Sequence, residues 1–416
     1  MGVRIAIMTA GSRGDVAPFT GLGHGLLDAG HEVTLVTHAR FEQLVAGAGL
    51  DFHPLPVDPQ AELHSPRGRA LHRSATGAGK LLRVVSMARA LVGRMTEDLV
   101  TAARASDLLL LAGPIAPLGV AVAEGLRLPS LGLHLQPIAP TREFAPPLLG
   151  DRSFGGAGNR LAGHAVNLAV EHIFGRAVPA VRARLGLPAA RPGALRRDLE
   201  RRRWPVQHGF SPLIVPRPRD WRPGLDIAGY WWPYDADARL PEEVRAFLDA
   251  GPPPVFVGLG SATVPDPEGL SALVVAALRR AGLRGVIQRG WGGLAADADD
   301  MLTIGEVAHS ALFPHMAAVV HHAGAGTTAA GLRAGVPAVP LPVQFDETFW
   351  ASRLVTLGVA PCALPLRRVT ADSLAAALTR AVGDPAHRSR AQALGVRVGA
   401  EDGVAPVLEA VNRLAR

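Results

Sequence analysis

The chain has 416 residues, of which 48% are hydrophobic and 19% charged, a content that supplies two ordinary domain cores rather than one. Its single cysteine, Cys362, excludes an internal disulfide framework and fits a reducing compartment, so a cytoplasmic protein is expected. The formal charge of +7 comes almost wholly from arginines that form no basic stripe interleaved with aromatics, which argues against a nucleic-acid partner.

In chain order, the opening "MGVRIAIMTAG" runs straight into a strand pattern, and no signal peptide is expected. Strand and helix patterns then alternate through "FTGLGHGLLDAG", "HEVTLVT", "ARFEQLVAGAG" and "LDFHPL", the signature of βαβ units and a buried parallel sheet. The segment Lys80 to Ala105 carries Leu81, Val85, Ala88, Val92, Met95 and Leu99 at helical spacing, a face that packs on that sheet. "LLLLAGPIAPLGVAVA" from Leu108 is interrupted by Pro114 and Pro117 and is shorter than the ~20 residues that span a bilayer, so no stable membrane insertion is expected. Pro137 to Gly158 reads as loop. "RRDLERRRW" from Arg196 reads as an exposed amphipathic helix. Prolines and exposed-looking tryptophans between Ile214 and Asp235 mark a linker.

A second βα series follows in "PPVFVGLGS", "GVIQRG", "AAVVHH" and "AVPLP". The expected fold class is α/β, two Rossmann-like domains facing across a cleft. Boundaries are expected at 1–215 for the first domain, 216–235 for the linker, 236–398 for the second domain and 399–416 for a terminal helix.

Open α/β sheets bind ligands at the carboxyl ends of their strands, which directs attention to three loops. After the first strand, "TAGSRGD" lacks G-x-G-x-x-G, and the second strand ends in Thr37 and His38 rather than an acid, so a dinucleotide site is disfavoured. Asp15 in that loop suits a general base toward a substrate hydroxyl, and suits equally the cap of a helix starting near Pro18. "GLGSAT" offers small residues, Gly258, Gly260, Ser261 and Thr263, that let a ligand approach the backbone. "HHAGAGTT" leads through Gly324 and Gly326 into a helix near Thr327, whose free N–H groups and positive dipole end suit a diphosphate, with the Thr327 and Thr328 hydroxyls as added donors and His322 alongside. One strand on, Gln344, Asp346 and Glu347 suit the hydroxyls of a sugar, and Asp346 suits a helix cap as well. The acids at Asp297 to Asp300 read as a solvated loop, and neither a metal nor any other cofactor is expected.

Together "GSRGDVAPF", "RDWRPGLDIAGYWW" and "HHAGAGTT…GVPAVPLPVQFDE" resemble, in order and across essentially the whole chain, the family 1 nucleotide-sugar glycosyltransferases of the GT-B fold. The chain is similar to both the sterol 3-beta-glucosyltransferases and the bacterial enzymes that glycosylate glycopeptide and polyketide antibiotics. The resemblance implies an acceptor-binding first domain and a nucleotide-sugar-binding second domain. It implies Asp15 as catalytic base, Ser12, Arg13 and Ser261 as diphosphate neighbours, and His322, Gly324, Gly326 and Thr327 as the diphosphate loop. It implies Trp291 and Val307 around the base, Asp346 and Glu347 at the sugar, and a last helix that returns to the first domain. Two positions differ from the family pattern: Glu347 stands where glutamine is common, and Ala330 where plant members carry a ribose-binding glutamate.

The implied reaction is inverting transfer of a hexose from a UDP- or dTDP-sugar to a hydroxyl of a hydrophobic small-molecule acceptor, by a monomer or weak homodimer. Leu81, Met95, Phe144, Leu148 and Leu149 suit the aglycone side, although apolar side chains beside a sheet are core more often than pocket. A sugar-nucleotide 2-epimerase and a non-catalytic partner subunit of the same fold are the alternatives.

Overall fold

The computed structural model describes residues 2–58, 60–61, 92–113, 115–235, 238–344 and 346–416. Short apolar runs form the central strands, such as RIAIM, LLLLA, VFVG and AVVH, as expected where helices cover both faces of a sheet. The first sheet has seven parallel strands in the order β3-β2-β1-β4-β5-β6-β7. They are Arg4–Met8, Glu32–His38, Asp51–Leu55, Leu108–Ala112, Ser130–His134, Val206–His208 and Leu225–Ile227, numbered β1 to β7. The second has five parallel strands in the order β10-β9-β8-β11-β12, numbered from Val255–Gly258 (β8) through Gly285–Gln288, Met301–Ile304, Ala318–His321 and Ala338–Pro340.

In each sheet the chain winds outward over three strands and then crosses to the other side of the first, so the order reverses between β1 and β4 and between β8 and β11. Such reversal points open a crevice at the strands' carboxyl ends, and the loops singled out in the sequence lie there. The loop of Asp15 follows β1, that of Ser261 follows β8 and that of His322 follows β11.

The helices used below are α1 (Arg13–Asp28), α2 (Thr96–Arg104), α3 (Ala116–Leu126), α4 (Gly155–Phe174), α5 (Ala177–Arg184), α6 (Pro192–Arg201), α7 (Pro267–Arg280), α8 (Ala325–Arg333), α9 (Glu347–Thr356), α10 (Ala371–Gly383), α11 (Pro385–Gly399) and α12 (Ala405–Leu414). Leu99 and Val100 of α2 join α3 and α5 in one core of the first domain; the part of the expected helix from Lys80 to Leu91, with Leu81 and Val85, lies outside the described residues. The other face of that sheet is covered by α1 and by α12, whose Val407, Ala410 and Val411 pack with Ile5, Leu131 and Leu133. The terminal helix therefore closes the first domain. In the second domain α7 and α10 pack on the sheet through Val274, Leu278, Leu374 and Leu378.

Several expectations need correction. Pro18 does not start a helix: α1 begins at Arg13, where Asp15 in its first turn supplies the N-terminal capping that made an earlier start favourable. The linker tryptophans are not exposed. Trp221 and Trp231 are 4% and 3% exposed, and the Trp231 indole N–H donates to the Gly403 carbonyl at 2.9 Å, which ties the linker to the segment before α12. β7 itself falls inside the stretch expected as linker and completes the first sheet. The arginine-rich segment is, as expected, an amphipathic helix, α6, held by Leu195 and Leu199 and by Arg196, which pairs with Glu171 at 2.5 Å and Glu200 at 2.9 Å. A further cluster, Phe210, Ile214, Trp221 and Tyr230 with Phe349, Trp350, Leu354 and Val398, joins the two domains.

Candidate active site

The Asp15 turn is held by its own neighbours. Gly11 has φ +143°, and a side chain there would overlap the Asp15 carboxylate, so the turn needs glycine at that position. The Ser12 N–H and hydroxyl donate to Asp15 Oδ2 at 2.8 and 3.1 Å, and the Thr9 hydroxyl donates to the Asp15 carbonyl at 2.7 Å. Burial raises the Asp15 carboxyl to about 6, against the Ser12 bonds that lower it, and the negative charge of Asp346 raises it further. A carboxylate poised there is basic enough to take a proton near neutral pH.

Ser12, expected beside the diphosphate, is the half-buried N-cap of α1, and its hydroxyl donates to Asp15. Arg13 reaches across the cleft to Glu306 at 3.0 Å, a solvated pair.

The donor side is built from backbone. α8 starts at Ala325, two residues before the expected Thr327, with Gly324 as its N-cap, so the N–H groups of its first turn have no partner within the helix. Ala323 adopts φ +65°, a left-handed conformation uncommon for a residue with a side chain, and its N–H donates to His321 Nδ1 at 3.1 Å. His322 fills the space left by two glycines. A Cβ at Gly324 would overlap its Nε2, and one at Gly260, which has φ +56°, would lie 2.8 Å from its Cε1. Burial depresses the His322 imidazole to about 4, so the ring is neutral and carries one N–H. Thr327 and Ser261 lie half-buried on this rim, and Gly326 is exposed. Thr328 is 1% exposed and points inward.

The loops after β8 and β9 are tied together, since the Trp291 N–H donates to the Gly260 carbonyl at 2.9 Å. Trp291 and Val307 are both half-buried.

On the expected sugar side the two acids differ. Asp346 Oδ2 accepts from the Trp350 indole N–H at 2.7 Å and makes no side-chain cap, while burial raises its carboxyl. Glu347 is 6% exposed, and its Oε2 accepts from the backbone N–H groups of Val343 and Gln344 at 2.6 and 2.7 Å. Glu347 was expected on a sugar hydroxyl, yet this oxygen is turned back to its own loop, because a carboxylate at a helix start finds donors in the preceding backbone. Burial raises it to about 7.

On the acceptor side Met95 is 4% exposed and belongs to the first-domain core, not a pocket. Phe144 packs on Phe349 at 5.4 Å and under the Arg353 guanidinium at 5.7 Å, so it joins the interdomain cluster instead of standing free. Leu148 and Leu149 are 46% and 52% exposed and remain open to a ligand. Leu81 lies outside the described residues.

Among the described residues no group of three or more His, Cys, Asp or Glu side chains comes together as a metal site. Asp300 pairs with Arg279 at 2.9 Å, and Asp297 accepts from the Thr303 N–H. No described helix is long and apolar enough to cross a membrane. Sequence reasoning did not assign roles to His38, Arg40, His321 or Glu306. Only the position of His38 at a strand's carboxyl end hinted at one.

Two parallel α/β sheets with their reversal points on a shared cleft define the GT-B class of glycosyltransferase. The fold of a kitacinnamycin glycotransferase superimposes with a TM-score of 0.70 at 21% identity, covering 99% of each chain. That of the Streptomyces sp. SF2575 glycosyltransferase SsfS6, complexed with thymidine diphosphate, gives 0.66 at 22% identity and 99% of each chain. Residues 5–144 match the glycosyltransferase family 28 N-terminal domain, and residues 290–412 match the erythromycin biosynthesis protein CIII-like C-terminal domain. The chain is 37% identical to an O-mycaminosyltylonolide 6-deoxyallosyltransferase of Streptomyces fradiae over 97% of this chain and 95% of that one. It is 33% identical to a sterol 3-beta-glucosyltransferase of Arabidopsis thaliana over 99% of this chain and 68% of that one. A sterol 3-beta-glucosyltransferase of Neosartorya fischeri is 32% identical, but the chain spans only 29% of its length. The chain belongs to this family of glycosyltransferases.

Proposed function

We propose that the protein transfers a hexose, with inversion, from a UDP- or dTDP-sugar to a hydroxyl of a hydrophobic small molecule, a natural-product aglycone or a sterol-like lipid. The observation that carries the reading is the half-buried Asp15 carboxylate, held by Ser12 after β1 and raised to about 6 by desolvation, facing a second-domain rim that offers a free helix N-terminus. Asp15 takes the proton from the acceptor hydroxyl, whose oxygen attacks the anomeric carbon from the face opposite the diphosphate. The bond to the diphosphate breaks and charge collects on its oxygens. The first-turn N–H groups of α8 and the single N–H of neutral His322 meet that charge where it grows, which lowers the barrier more than it tightens substrate binding. Backbone dipoles and a neutral imidazole can offset diphosphate charge without a cation, and the reaction is written without one.

Asp346 and Gln344 lie on the rim where the sugar would hang, and Leu148 and Leu149 on the acceptor side. The relatives named for a sterol and for O-mycaminosyltylonolide support an apolar acceptor. The enzyme acts in the cytoplasm as a monomer or weak homodimer.

The test is incubation with UDP- and dTDP-sugars against sterol, macrolide, flavonoid and glycopeptide acceptors, with products read by mass and anomeric configuration by nuclear magnetic resonance. A hexosylated acceptor with inverted configuration is expected. Donor isomerised with no acceptor present, or nucleotide bound with no transfer to any acceptor, would overturn the proposal.

A further inference from the structure

The carboxyl end of β2 carries two side chains that serve opposite sides of the cleft. His38 is 2% exposed, and its Nε2 accepts the Gly11 N–H at 2.9 Å, one residue before the N–H that holds the Asp15 carboxylate. Burial depresses its imidazole to about 4, so the ring is neutral and its lone pair is free to accept that bond. Two residues on, the Arg40 guanidinium lies 5.1 Å from the centre of the Trp291 ring in the other domain. Arg40 is held from behind by Asp58 at 3.3 Å and lies 5.6 Å from the Phe41 ring. His38 leads directly into a short 3₁₀ turn, Ala39–Phe41, that carries Arg40 and ends in Phe41, 6% exposed, whose ring is 6.5 Å from His38. A buried aromatic and a fixed ring on one tight turn leave little freedom between the two ends.

We propose that this corner is a positioning device: Arg40 packs on Trp291 as the nucleoside diphosphate's base is seated there, and His38 thereby delivers the Asp15 turn to the donor. The inference rests on the reading of Trp291 as the residue that holds the base. Arg40 acts through Trp291 and His38 through Gly11, so neither touches the reacting atoms.

A guanidinium over an indole face at this distance changes an equilibrium by about 3- to 10-fold at a partly solvated site. Kinetics with varied donor, together with calorimetric binding of UDP and dTDP, test the device in the full chain. Arg40→Ala is expected to raise donor KM about 3- to 10-fold with kcat within about twofold, and Arg40→Lys to recover part of that. The pair Arg40→Ala/Trp291→Ala is expected to be no worse than Trp291→Ala alone, since one contact is lost in either case. His38→Ala is expected to lower kcat about 10-fold at unchanged donor KM and to move the acid limb of the pH profile downward, as the loosened Asp15 turn admits water. His38→Gln keeps an acceptor toward Gly11 and restores both, which separates positioning from a folding defect.

If Trp291→Ala weakens UDP and dTDP binding while Arg40→Ala leaves donor KM normal, or if the two effects multiply, the device falls and the donor site stands. If Trp291→Ala leaves nucleotide binding intact, the base assignment and the device fall together. If His38→Ala leaves kcat and the acid limb unchanged, the link to Asp15 is removed.

Discussion

The two halves of the cleft solve opposite problems with opposite means. The first-domain half relies on side chains: Asp15 is oriented by Ser12 and Thr9, and its turn is pinned by His38. The second-domain half relies on backbone, with a helix start, a left-handed Ala323 and glycines that make room for His322. A diphosphate carries the same charge whatever sugar it bears, so fixed N–H groups recognise it without adjustment. A proton to be abstracted needs a group whose basicity is tuned, and burial of one carboxylate does that. The cost is borne in the first domain, where an acid is kept against its preference for water.

The largest break in this contrast comes from Asp15→Asn, which keeps the shape of the turn and removes the base. Turnover is expected to fall about 10²-fold or more, while calorimetric UDP and dTDP affinities stay within about twofold. In the native enzyme the acid limb of kcat/KM is expected to follow Asp15, the base proposed above. Its folded value is raised from 3.8 to about 6, so activity is lost as pH falls through about 6, and a limb near 4 would show that Asp15 is solvated in use.

Glu347→Gln probes a buried carboxyl of the second domain, 6% exposed. The folded value is raised from 4.5 to about 7, so ionisation opposes folding, and native stability from this group declines as pH rises from about 4.5 past 7. Glutamine accepts the same two N–H bonds without a charge. The variant should melt with the native protein near pH 4.5 and be more stable by on the order of 2 kcal/mol above pH 7 in denaturant titrations. Equal stability at both pH values would show that water reaches the carboxyl.

Gly324→Ala drives a methyl against His322, whereas Gly326 has no atom within 4 Å of the place where a Cβ would stand. The first change is expected to weaken nucleotide binding about 10-fold or more by displacing the ring, and the second to leave the fold intact and cost about a few-fold at most. The reverse order in a binding titration would mean that the diphosphate does not use the Gly324 side of the cradle.

The smallest effect is expected on the acceptor side. Leu148→Asp and Leu149→Asp place charge on exposed apolar positions, and should raise KM for an apolar acceptor about 3- to 10-fold without altering donor KM. An equal rise for donor and acceptor would assign these leucines to closure of the cleft.

The donor half was the more legible in the sequence because its physics is local. A buried strand, small residues and a helix follow one another over a dozen positions, and glycine spacing alone marks where N–H groups are free. Sequence placed the helix start near Thr327 instead of Ala325, and Thr328 outside instead of inside, errors of a fraction of a turn. In the first-domain half Asp15 and the exposed Leu148 and Leu149 were legible, but which other apolar side chains the fold claims was not. Met95 and Phe144 have the composition of pocket residues, but one is claimed by the first-domain core and the other by the contact with Phe349 and Arg353. Glu347 has the composition of a ligand, yet its Oε2 turns to Val343 and Gln344 because their N–H groups lie within hydrogen-bond reach in the same loop.

By itself, the sequence determined two α/β domains and the strand-to-helix loops at which ligands gather, since period, loop composition and crossover rules act over short spans of chain. Tertiary structure alone decided which side chains are free to act. The ionisation of Asp15, the neutrality of His322, the burial of Trp221 and Trp231 and the approach of Arg40 to Trp291 all depend on residues distant in the chain, because desolvation and contact are set by whatever the fold brings alongside.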